Sequence, residues 1–209
     1  RIELYTMNGA VQSASSLWVE GEISPRFLLN LEYIQSLFSA WNPDFRPVEI
    51  KVRTHSGIAP QAERGSATFF SAGVDSFYTL LKRDESIDDL VFVHGFDIPL
   101  SDTKQRENVA NSIRHISRET GKHLIEIETN IRDFLDDHVL WGLWGHGPAM
   151  ACIGHLLSDA VQQFFIPASF SYTRLFPWGT HPTLDHLWGT EAVSFVHDGC
   201  EVNRIEKVA

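Results

Sequence analysis

From Ala67 onward, short apolar runs alternate with longer segments whose apolar residues recur every three or four positions. Thr68, Phe69 and Phe70 form the first run, which ends abruptly at Ser71-Ala72-Gly73; Phe77, Leu80 and Leu81 then share one helical face. Asp89 to Val93 is a continuous apolar run, as expected of a strand covered on both faces. Thr103 to Gly121 places Val109, Ile113 and Ile116 on one side of a helix, with Gly121 as its C-cap. Leu124 to Ile127 reads as a third strand, Pro148 to Val161 as a nearly all-apolar buried helix, and Phe164 to Pro167 as a fourth strand. Repeated βα units with short connections predict an α/β fold with a doubly wound parallel sheet.

The first 66 residues follow a different rhythm. Leu17 to Glu22 and Val48 to Val52 alternate apolar and polar residues, the pattern of strands with one wet face. Between them, Ser24-Pro25 opens a helix carrying Leu28, Leu31, Ile34 and Leu37 and closing near Trp41-Asn42-Pro43. His55 to Gly65 reads as a linker. The expected organisation is therefore a small α+β appendage over 1–66 and a main domain over 67–209.

Composition narrows the function. The 209 residues carry 43% hydrophobic and 21% charged side chains, ordinary for a globular protein. A net charge of −10 argues against a broad nucleic-acid surface, which needs clustered Lys and Arg. The two cysteines make no disulfide framework or Cys-x-x-Cys pair, which fits a reducing cytoplasm, and no apolar run is long enough to cross a membrane. Cys152, within the apolar helix, reads as a core residue, and Cys200, after the Asp198-Gly199 turn, as more exposed. The expected partners are small molecules, with room for a homo-oligomer. Both ends, Arg1 and Lys207-Val208-Ala209, read as cut.

The chemistry is expected beyond the carboxyl ends of the strands. After the first strand, Ser71-Ala72-Gly73-Val74-Asp75-Ser76 joins strand to helix, where free backbone N–H groups and the helix dipole favour an anion. Ser71 and Ser76 add hydroxyls, and Asp75 is a carboxylate able to hold a divalent cation against a polyphosphate. His94-Gly95-Phe96-Asp97 follows the second strand. His146 and Gly147, before Pro148, belong either to a second substrate site or to a loop that buries Trp141 and Trp144. The irregular stretch Ser169 to Asp185 reads as a lid, with Tyr172 and with Arg174 as its best-placed cation. His181, Asp185, His186, His197 and Asp198 match no ligand spacing and read as structural or solvated.

The run Ser-Ala-Gly-Val-Asp-Ser resembles the Ser-Gly-Gly-x-Asp-Ser loop of the PP-loop ATP pyrophosphatases, with Ala72 in place of the first glycine. That superfamily includes asparagine synthetase, argininosuccinate synthetase, the GMP and NAD synthetases and the deazaguanine nitrile synthase. His94-Gly95-Phe96-Asp97 and His197-Asp198-Gly199 look like the nitrile synthase and asparagine synthetase-like branch. The resemblance spans roughly residues 66 to 209 and implies a HUP-like nucleotide-binding fold. It also implies cleavage of ATP between its α- and β-phosphates to adenylate a small substrate, followed by attack of an amine, ammonia or sulfur nucleophile. In that reading Ser71, Ala72, Gly73, Val74 and Ser76 cradle pyrophosphate, Asp75 holds Mg²⁺, and His94, Gly95 and Asp97 adjoin the adenosine. His146, Gly147, Tyr172 and Arg174 face the substrate, and Asp75, Ser76 and Arg174 promote the reaction. The zinc-binding cysteine cluster common in that branch is missing here; the resemblance would place it past residue 209. A nucleotide-binding regulatory module without turnover is the alternative.

Overall fold

The computed structural model describes residues 16–54 and 65–209. Its centre is a five-stranded, all-parallel sheet in the order β5-β4-β3-β6-β7. The strands are β3 (Gly65–Phe69), β4 (Asp89–His94), β5 (His123–Glu128), β6 (Val161–Pro167) and β7 (Ser194–Asp198). From β3 the chain moves outward through β4 to β5, then returns to the other side of β3 for β6 and β7. The direction of travel thus reverses between β3 and β6, and a crevice opens at their carboxyl ends.

Helices cover both faces, which is why β4 is apolar throughout. Leu90 and Phe92 meet Leu80 of α2 (Val74–Lys82) and Ala110 and Ile113 of α3 (Thr103–Thr120). Val91 and Val93 point the other way, into a cluster with Leu135 of the short helix α4 (Ile131–Leu135) and Ile153 of α5 (His146–Leu156). The Asp102 carboxylate caps α3 by accepting from the Gln105 N–H at 3.0 Å, and Gly121 ends it in the left-handed region, as expected.

Two boundaries differ from expectation. The buried helix predicted over Pro148 to Val161 starts two residues earlier and stops at Leu156; Val161 begins β6. An apolar run does not by itself separate a buried helix from a buried strand, so the 158–160 turn was hidden. The fifth strand, β7, also escaped the pattern, because its burial alternates irregularly at the sheet edge.

In the described part of the first segment, β1 (Leu17–Ile23) and β2 (Ile50–Thr54) pair in parallel on either side of α1 (Pro25–Trp41). The Ser24 hydroxyl caps α1 through the Phe27 N–H at 2.9 Å. Phe27, Leu31, Ile34 and Phe38 of α1 share one hydrophobic cluster with Phe69 and Val91 of the large sheet. Residues 1–15 and most of the expected linker lie outside the described residues. Among the described residues, no helix is long and apolar enough to cross a membrane.

Candidate functional site

Residues 71–73 carry the chain from the end of β3 to the start of α2, with Gly73 as N-cap. Ala72 takes φ +59°, a conformation that L-residues other than Gly seldom adopt. Among the described residues, the N–H groups of residues 71–76 find no backbone acceptor, while those of Phe70 and Phe77 are bonded to Val91 O and Gly73 O. Ser76 is buried, and its hydroxyl donates to Gly73 O at 2.9 Å, so it braces the turn.

Asp75, in the first turn of α2, is held by two cations from the far end of the chain. Lys207 Nζ donates to Asp75 Oδ1 at 2.9 Å, and Arg204 reaches Oδ2 at 3.2 Å. The Lys207 side chain is only 1% exposed, and it also donates to the carbonyl of Ala168, just past β6. Burying an ammonium is costly unless it is paired, so Lys207 ties the C-terminal segment firmly to the loop. The Arg204 side chain is 66% exposed.

The crevice is a cavity of about 340 Å³. Ser71, Gly73, Asp75, Ser76 and Arg204 line one end, with Pro167 and Ser169 beside them. Phe96, Asp97, Trp141, His146, Met150, Trp178 and Thr180 also line it. Trp141, His146, Trp178 and Thr180 of this set come from two segments pressed together at their glycines. Trp141–Gly145 forms one turn of π-helix ahead of α5, an arrangement often found at functional sites. A Cβ on Gly147 would sit 1.7 Å from the Gly179 carbonyl, so only glycine permits this approach. The Gly179 N–H then bonds Gly142 O at 3.0 Å. Burial pushes the His146 pKa below the usual imidazole range, and its ring lies between Trp141 O and the Thr180 hydroxyl, at 3.1 and 3.2 Å.

The residues singled out from the sequence separate into two groups. Ser71, Gly73, Asp75, Ser76, Asp97 and His146 reach the cavity, and Ala72, Val74 and Gly147 are not among the residues that line it. His94 does not line it; its ring is paired with Glu126 at 3.1 Å. Gly95 has φ +94° and lies against Thr129 O, so its missing side chain serves strand packing. Tyr172 and Arg174 sit exposed on a short 3₁₀ turn outside the cavity lining. Cys200, expected to be more exposed, is 2% exposed, because the turn at Gly199 folds it inward. Arg204 and Lys207 are the residues that sequence reasoning missed, whereas Trp178 and Thr180 reach the cavity from within the Ser169 to Asp185 stretch read as a lid. Only the basic positions in Asn203-Arg204-Ile205-Glu206-Lys207 signalled the first two.

Behind the wall, Asp185 is fully buried and joins the 178–185 segment to β7. Its Oδ1 accepts the His181 N–H at 3.0 Å, and its Oδ2 meets His197 Nδ1 at 2.6 Å. Burial alone would lower the His197 pKa, but Asp185 and the neighbouring Cys200 outweigh it and push it up to about 9.

The loop end suits an anion: amides without a backbone acceptor, Arg204 and a buried lysine converge there. Asp75 is its one carboxylate among the described residues, and Lys207 and Arg204 engage both oxygens. Among the described residues, no group of three or more His, Cys, Asp or Glu is placed to hold a metal. A cation would therefore have to take most of its ligands from a polyphosphate and water. Compared with models of known protein families and with curated proteins, the chain matches none.

Proposed function

We propose that the protein is an ATP pyrophosphatase-type ligase on a doubly wound PP-loop fold. In this reading it adenylates a small substrate and passes the activated group to an amine, ammonia or sulfur nucleophile. One observation carries the reading: the loop of residues 71–76, whose N–H groups find no backbone acceptor, borders a crevice at the reversal point of the sheet through Ser71, Gly73, Asp75 and Ser76, with Arg204 and buried Lys207 beside it. The PP-loop resemblance of those six residues supports it.

The loop amides and Arg204 would bind the β- and γ-phosphates of ATP. Asp75 would then exchange Arg204 for Mg²⁺ brought in with the nucleotide, while Lys207 stays paired. A substrate oxygen attacks the α-phosphorus, the bond from that phosphorus to the bridging oxygen breaks, and pyrophosphate leaves into the loop. The nucleophile next displaces AMP. Positioning and charge neutralisation would supply most of the rate.

The engagement of both Asp75 oxygens favours the second reading, a module that binds ATP or AMP without turnover, because the carboxylate must first be freed. Isotope exchange between pyrophosphate and ATP, run with candidate carboxylate substrates, separates the two. Exchange supports the ligase; ATP binding without exchange for any substrate supports the module. Arg204→Ala is expected to weaken ATP roughly tenfold or more, the worth of a charge-assisted hydrogen bond, with the melting temperature nearly unchanged. Equal affinity in both proteins would remove the loop end from nucleotide binding.

A further inference from the structure

His146 and Thr180 meet at the cavity because glycines let two segments close on each other. A Cβ on Gly179 would sit 2.5 Å from His146 Nδ1, so a side chain there would push the backbone that carries Thr180 away from the ring. The Trp141 carbonyl can only accept, so His146 Nδ1 holds the proton and donates to it at 3.1 Å. Nε2 then carries a lone pair, and the Thr180 hydroxyl donates to it at 3.2 Å. A lone pair of Thr180 Oγ1 remains for a further donor, and both residues line the cavity. Hydroxyl, imidazole and fixed carbonyl thus form a chain along which a proton can move.

The imidazole is held in its basic form at rest. Burial pushes its pKa down, and His146 is the first residue of α5, where the helix dipole also disfavours a positive charge. Asp185 and Asp97 pull the other way, and they favour the imidazolium once a proton arrives. Arg132, which lies over the Trp141 ring, is paired with Asp136. Among the described residues that line the cavity, the other titratable bases are the carboxylates Asp75 and Asp97. Carboxylates are ordinarily much weaker bases than imidazole, and Asp75 is already engaged by Lys207 and Arg204.

We propose that His146 is the general base of the second half of the ligase reaction, taking a proton through the Thr180 hydroxyl from a nitrogen nucleophile, an amine or ammonia. The inference rests on the ligase reading and goes beyond it by choosing among the nucleophiles. Adenylation needs no such base, because a substrate carboxylate attacks the α-phosphorus with no proton to lose. A neutral amine attacking the activated carbonyl does need one. As its C–N bond forms, an N–H proton passes to Thr180 Oγ1 and the Thr180 proton passes to His146 Nε2. The carbon–oxygen bond to AMP breaks, its electron pair leaves on the AMP phosphate, and the imidazolium returns its proton to water. A sulfur nucleophile arriving as an anion would have no proton for this pair to take.

Two measurements on the full chain test the assignment. In nitrogen-15-labelled protein, His146, identified by its loss in His146→Gln, is expected as the Nδ1–H tautomer, titrating below the usual imidazole range. The Nε2–H tautomer or an ordinary titration overturns the proposal. Exchange of labelled pyrophosphate into ATP, with the carboxylate that best supports it, reads adenylation alone, whereas amide formation from ammonia reads both halves. His146→Gln, whose amide oxygen can still accept from Thr180, is expected to slow amide formation about 100-fold more than it slows exchange. Thr180→Val should do nearly the same, and Thr180→Ser should restore most of the loss. Hydroxylamine, a stronger nucleophile that arrives neutral, should lose only a few-fold in His146→Gln, a difference that damage to the fold would not produce. Equal slowing of both steps, equal loss with both nucleophiles, or an unaffected Thr180→Val overturns the proposal and leaves the ligase reading standing. No exchange in the unaltered protein with any carboxylate sinks the ligase reading and the proposal with it.

Discussion

Ala72 holds the tightest backbone position in the loop, at φ +59°, where a Cβ crowds the main chain. Glycine removes that crowding but gains freedom in the unfolded chain, and the substitution also loses the Ala72 methyl contact with the core behind α2. The left-handed penalty is the larger of these, so Ala72→Gly is expected to raise stability by up to about 1 kcal/mol. Urea denaturation at constant m-value measures it, and a loss of stability would mean that the methyl contact outweighs the strain. The loop was legible because everything that defines it is local: an apolar run, three small residues and a helical face. The cations were not. Lys207 meets Asp75 across 132 positions, and nothing near residue 75 announces it. Arg174 drew attention as a cation in an irregular stretch, yet the turn at Tyr172–Arg174 leaves it outside.

At the scale of elements, β4 and α3 were legible because burial on two faces, or on one, leaves distinct patterns. The boundary between α5 and β6 was not, since both sides of it are buried and apolar. The packing of the 178–185 segment on β7 was also hidden, because it depends on Asp185 and His197 meeting inside the protein. That pair has a pH signature. His197 titrates at about 9 in the fold against roughly 6.5 in the unfolded chain, so the protonated ring favours the folded state. The contribution is fully present below about pH 6.5 and is lost as the pH rises through about 9, amounting to up to about 3 kcal/mol. A drop in melting temperature of roughly 5–10 °C between about pH 6.5 and 9.5 is expected for a domain of this size. His197→Gln should flatten that slope while lowering stability at the acid end of the range. An unchanged slope in the variant would assign the pH effect to another group.

Across the whole molecule, the segment after β7 runs back over the mouth of the sheet and joins three parts: the first turn of α2 at Asp75, the end of β6 at Ala168, and Tyr78, whose ring lies 5.6 Å from the Lys207 ammonium. The parallel α/β sheet and the position of the crevice were readable from alternating elements, whereas this closure was not, because it is a contact between distant ends. It makes the loop's charge balance a property of the folded chain. Lys207→Met keeps the length and packing of the side chain but leaves Asp75, only 12% exposed, with Arg204 alone. A loss of roughly 2–4 kcal/mol is expected, somewhat below a fully uncompensated buried charge because Arg204 remains. Combining Asp75→Asn with Lys207→Met removes both charges, and the introduced amide oxygen can still accept from Arg204. The double variant should therefore recover more than half of the loss, with a coupling energy of at least about 1 kcal/mol in a double-mutant cycle. Strictly additive losses would show that Lys207 stabilises the protein through Ala168 and Tyr78 and that its pairing with Asp75 is incidental; recovery would establish the C-terminal segment as an electrostatic part of the loop.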